Sequence, residues 1–130
     1  MTISMTNAQN GKIYDLEERT ARFGENIIRL IKKMPRTIVS DPLMDQLIRS
    51  ATSVGANYCE ADCAESKRDF EHKLGICKKE AKEAGHWLRM LMTAVPESKD
   101  EIGIFQKEAN ELQLIFIAIV KKSKENRSKK

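Results

Sequence analysis

The sequence predicts an all-α protein, an antiparallel up-down-up-down bundle of four helices. Three observations carry this. Apolar residues recur at spacings of three and four through four long segments, prolines fall only at segment borders, and no alternating strand pattern is visible. With 130 residues, 41% hydrophobic and 32% charged, the chain is one domain large enough for a core and too apolar for disorder. Residues 1–13 are polar and aperiodic and read as a flexible leader, residues 14–124 as the bundle, and residues 125–130 as a basic tail.

The first helix is expected from Asp15 to Met34. Leu16, Phe23, Ile27, Leu30, Ile31 and Met34 share one face, its acids gather at the start and its bases at the end, matching the helix dipole, and Pro35 stops it. The second is expected from the Asp41-Pro42 pair, a cap followed by a first-turn proline, to about Ala64. Leu43, Leu47, Val54 and Tyr58 form its core stripe, and Gly55 with Ala56 suits close approach of another helix. A second stripe, Arg49, Ser53, Asn57 and Glu60, is polar but unlike a solvated Lys/Glu face. Helix 3 groups such as Lys73 and Glu80 are its expected partners, in a network that sets helix register or subunit packing; the alternative is a face that contacts a ligand or RNA.

Ser66, three residues before Asp69, has the form of a capping box and opens the third helix, which runs to about Ala94. Phe70, Leu74, Cys77, Ala81, Ala84, Leu88, Leu91 and Met92 are its core face, with Ile76 and Trp87 on a flanking patch. After Pro96 the fourth helix is expected from about Lys99 to Lys124. Its apolar residues lie most of the way round: Ile102, Phe105, Ala109, Leu112, Phe116, Ile119 and Val120 on one face, Ile104, Leu114, Ile115 and Ile117 elsewhere. Such a helix is buried on more than one side, which means either a central position in the bundle or, the favoured reading, a subunit interface.

The chemistry the sequence excludes is as informative. There is no Gly-rich phosphate loop, no nucleophile elbow and no Cys/His nucleophile set, so no enzyme and no cofactor are expected. Cys59 and Cys63 are spaced i, i+4 without a second ligand pair, and Glu83-Ala-Gly-His86 occurs once where a di-metal bundle needs two copies, so no metal is expected. Three cysteines without a framework spacing, no secretory leader and no membrane-length apolar run point to a cytoplasmic protein.

The formal net charge is +4, but the last ten residues carry +5 and the other 120 about −1. The third helix holds seven bases against four acids. The candidate nucleic-acid contacts are therefore Lys67, Arg68, Lys73, Lys78, Lys79 and Lys82, with Lys121, Lys122 and Lys124 from the end of the fourth helix.

The segments DLEERTARFGENIIRLIKKMP, QLIRSATSVGANYCEAD and AESKRDFEHKLGICKKEAKEAGHWLRML resemble the bacterial four-helix-bundle proteins encoded by intervening sequences inside 23S ribosomal RNA genes. The residues that carry the likeness are Arg49-Ser50, Ser53, Ala56-Asn57, Glu60, Ser66, Asp69-Phe70 and Leu74, with Ala61 where many members have glycine. The resemblance implies an antiparallel bundle assembled as a ring-like homopentamer. The chain is also similar to the accessory variability protein of diversity-generating retroelements, which partners a reverse transcriptase and binds nucleic acid. No catalytic residues come with the likeness. The expected function is a non-enzymatic oligomer that binds nucleic acid, RNA before DNA. The alternative is a scaffold for a protein partner such as a reverse transcriptase, with no direct nucleic-acid role.

Overall fold

A computed structural model describes residues 4–7 and 12–128 of the chain. Four helices, α1 (Leu16–Lys33), α2 (Ser40–Asp62), α3 (Lys67–Ala94) and α4 (Lys99–Ser128), form an antiparallel bundle, with a 3-10 turn at Pro96–Ser98. Packing follows chain order. α3 lies between α2 and α4 with extensive contact to each, α1 packs on α2, and α1 and α4 meet only lightly.

The expected apolar faces form the core. All six residues of the α1 face are buried, as are Leu47, Val54 and Tyr58 of α2, and Leu74, Cys77, Ala81, Ala84, Leu88 and Leu91 of α3. Leu43, Phe70 and Met92 are half-buried at its margin. Burial pushes the Tyr58 phenol and the Cys77 thiol each up to about 12. The α1–α2 crossing is close because a Cβ on Gly55 would lie 3.4 Å from the backbone of Thr20. Ala56, expected to share that role, is exposed instead.

Three features depart from the sequence reading. The leader contains a two-stranded antiparallel ribbon, β1 (Ser4–Asn7) with β2 (Lys12–Asp15), in the register Ser4↔Asp15 to Asn7↔Lys12. Four-residue strands are too short to show a period, and the readable signal was the turn-favouring Asn10-Gly11 pair between them. Residues 1–3 and 8–11 of that leader lie outside the described residues, as do 129–130 of the tail. The tail is helical as far as it is described, since α4 continues to Ser128.

The third departure is the start of α2. The cap is Thr37 rather than Asp41. Its Oγ1 accepts from the backbone N–H groups of Val39 (3.2 Å) and Ser40 (3.0 Å), while Ser40 Oγ accepts from the Thr37 N–H at 2.9 Å. This is a capping box with serine in the glutamate position. Asp41 is left to an ion pair with Arg36 at 2.8 Å. The same logic works as expected at α3, where Ser66 Oγ accepts from the Asp69 N–H at 3.0 Å.

Thr37→Ala should lower the unfolding free energy by about 1–2 kcal/mol, the usual worth of a side-chain cap. Asp41→Ala should cost less than about 0.5 kcal/mol, because its ion pair is half-exposed. Urea titrations of the two variants decide between the caps.

Candidate nucleic-acid interface

The candidate surface is built on α3, and its character comes from where the acids of that helix go. Glu80 and Glu83 face α2, where Arg49 bonds both, Glu80 at 3.4 Å and Glu83 more tightly. Trp87 Nε1 also donates to Glu83 at 3.0 Å. The Trp87 and Arg49 bonds hold the Glu83 carboxyl below its ordinary value, and Glu83 raises Arg49 in return. Lower down the seam Glu60 of α2 takes Lys73 of α3 at 2.7 Å, and Asn57 Nδ2 donates to the Ser53 carbonyl at 2.8 Å. The two ends of the polar stripe, Arg49 and Glu60, therefore bridge the α2–α3 seam to the expected partners Glu80 and Lys73, whereas Asn57 bonds only its own helix, and Lys73 belongs to that seam rather than to the free basic face.

On the opposite side of α3 a third acid, Glu71, is buried against the end of α4. Arg127 donates to both of its oxygens (2.8 and 2.7 Å) and Ser123 Oγ donates to one at 2.7 Å. These bonds, Arg127 first, lower the Glu71 carboxyl to about 2. Arg127, read from sequence as part of a basic tail, is thus a fastener. Two residues four apart on α4 converging on one acid are a helical-spacing signal that only a partner could complete. Lys121, Lys122 and Lys124, next to the clamp along α4, are exposed, and Lys124 adds to the positive field at Glu71.

With Glu71, Glu80 and Glu83 paired to neighbouring helices, α3 presents Arg68, His72, Lys79, Lys82, His86 and Arg89 outward, all exposed, with Lys67 and Lys78 beside them. Spaced by three, four or seven residues, they form one stripe of about 32 Å from Arg68 to Arg89 at helical rise. Among the described residues none of its Lys or Arg groups enters an ion pair. Arg89 completes this stripe and was not among the candidates singled out from sequence.

Two other surfaces compete for attention. A groove of about 520 Å³ between α1 and α4 has Phe23 and Phe105 among its lining residues. Arg19 bridges it to Glu108 at 2.8 Å and to Glu111 at 3.2 Å. Ile104, Leu114 and Ile117 of α4 stay 63%, 65% and 42% exposed, so the apolar residues outside the primary face of α4 are largely uncovered within one chain. Cys59 and Cys63 are exposed free thiols, and no cluster of three metal-ligating side chains occurs among the described residues. Among these residues, too, no helix is long and apolar enough to cross a membrane.

The Glu71 clamp has a pH signature. A carboxyl held at about 2 against an ordinary 4.5 stabilises the fold above 4.5, and that contribution is lost as pH falls towards 2. Amide protection in residues 120–128, taken relative to the intrinsic exchange rate at each pH, should fall over that window while the α3 core stays protected. Glu71→Gln should produce the same loosening at neutral pH.

Comparison with known proteins agrees with this architecture. No curated protein matches the chain. A crystal structure of a protein of unknown function from the S23 ribosomal protein family, from Bacteroides thetaiotaomicron VPI-5482, is similar at TM-score 0.71 and 28% identity. The match covers 81% of this chain and 97% of that one. The family model described as 23S rRNA-intervening sequence protein matches residues 14–118, from the end of the ribbon to near the end of α4. The chain belongs to the 23S rRNA-intervening sequence protein family.

Proposed function

We propose that this protein is a non-enzymatic, oligomeric bundle that binds nucleic acid, RNA in preference to DNA. The contacts are the outward bases of α3 together with Lys121, Lys122 and Lys124 of α4. The observation that carries the reading is the acid-free stripe from Arg68 to Arg89, because unpaired cations on a rigid helix face attract phosphates without first breaking an internal ion pair. The preference for RNA rests on the family description. Of the stripe Arg49, Ser53, Asn57 and Glu60, the first and last lock α2 to α3, leaving α3 stiff beneath its bases.

In an electrophoretic shift assay the protein should retard RNA at low salt. Binding should weaken steeply as salt rises, with a log–log slope of about −0.7 per phosphate contacted on a single strand. Replacing Lys121, Lys122 and Lys124 with glutamine should flatten that slope while sparing the Arg127 clamp. No retardation of RNA or DNA at low salt would sink the reading.

The exposed apolar residues of α4 favour assembly with further copies, and a homopentamer is the state the family likeness implies. Light scattering should give a mass above the 14.8 kDa of one chain, reduced by Leu114→Glu with Ile117→Glu. A 14.8 kDa wild-type species would refute assembly. Capture of one stoichiometric protein partner, with no nucleic-acid binding, would favour the scaffold reading.

A further inference from the structure

The centre of the α3 stripe holds a glycine that the fold does not need. Gly75 lies between His72 and Lys79, one helical turn from each, and Arg68 and Lys82 lie two turns away on the same line. Glycine is among the least favourable residues for a helix interior, and its usual justifications are a left-handed backbone or a close neighbour. Neither applies. Gly75 is in regular helix within α3, and a Cβ built on it would meet nothing within 4 Å. The contrast with Gly55, where a Cβ would press on the Thr20 backbone, shows what a packing glycine looks like in this molecule.

The stripe carries no Phe, Tyr or Trp, and its rings are the smaller imidazoles of His72 and His86. Among the residues whose side chains are described, Phe23, Tyr58 and Phe116 are buried. Trp87 is half-buried with its indole N–H held by Glu83. Single-strand readers depend on aromatic platforms for successive bases, whereas a duplex offers phosphates on a stiff surface and needs none.

We infer that the sugar–phosphate backbone of a double-stranded nucleic acid crosses α3 at Gly75, flanked by Arg68 on one side and Lys79 and Lys82 on the other. The missing side chain lets the backbone approach the helix closely, and the flanking cations hold its phosphates. This inference rests on the nucleic-acid reading above and adds to it the form of the ligand and the point of contact.

The test uses the full chain with duplex RNA, duplex DNA and an unstructured single strand, each of about two helical turns or the same length, about 20 nucleotides. Fluorescence anisotropy at low salt should show both duplexes bound more tightly than the single strand. Gly75→Ala and Gly75→Leu should melt at the wild-type temperature or above it, since both residues favour helix. Both should nevertheless bind duplex more weakly, Gly75→Leu by roughly fivefold or more, the lower range of what an overfilled contact costs. Lys79→Gln with Lys82→Gln should reduce the salt slope by about one per lost phosphate contact. Duplex binding unchanged in stable Gly75→Leu, or a single strand bound as tightly as duplex, overturns the inference and leaves nucleic-acid binding standing. No binding of any of the three probes by the wild type overturns both.

Discussion

Burial of α3 on two sides is the constraint from which the rest of this structure follows. α2 and α4 pack along its length, and it can accept both because its inner positions alternate large with small. Leu74, Leu88 and Leu91 fill the core while Ala81, Ala84 and Gly85 let the neighbours come close. Gly85 lies against Ala109 of α4 with room for no more than a methyl group, its built Cβ being 3.8 Å from that side chain. A helix held this way has little freedom to roll, so its remaining face points in one fixed direction.

That fixed orientation sorts charge. Glu71 is turned towards α4 and Glu80 and Glu83 towards α2, and each finds a cation there: Arg127 for the first, Arg49 for the other two. Partly desolvated carboxylates at a seam need such partners, because burial without one would force them neutral. The bases on the outer side have no comparable demand and remain in water. A helix with seven bases and four acids becomes strongly one-sided through packing alone, and the folded body acquires a positive face despite its near-neutral total. The clamp at Glu71 fastens the end of α4 to α3, with Lys124 close enough to act on the Glu71 carboxyl.

The α1–α4 seam is built differently. It has the lightest contact of the bundle's neighbouring pairs, and ion pairs span it, Arg19 with Glu108 and Glu111 and Lys33 with Glu101. Half-exposed ion pairs contribute little stability compared with buried apolar area. The outer side of α4 meanwhile keeps Leu114 and Ile117 in solvent. Within one chain α4 is therefore the least satisfied of the four helices, which is the physical reason assembly enters the functional reading.

The amino-acid sequence by itself determined the four helices, their core stripes and the Ser66 cap, because these depend on periodicity and on groups only a few residues apart. Phe23, Leu47, Leu74 and Leu88 could be placed in the core from the 3.6-residue repeat alone. Tertiary structure decided what long polar side chains do. Periodicity gives each residue an angle about its own axis, but it gives neither the azimuth of the neighbouring helix nor the reach of an arginine across a seam. Arg127 consequently looked like a free base and is a fastener, Lys73 could be read both as a partner of the polar stripe and as a free base and is the former, and Thr37 supplants Asp41 as a cap because the α1–α2 link folds back on itself through Ser40 and the Pro35 carbonyl. Gly75 stood in the sequence as one more residue of a long helix. Only the empty space around it, measured against the crowding at Gly55, separates it from a packing glycine.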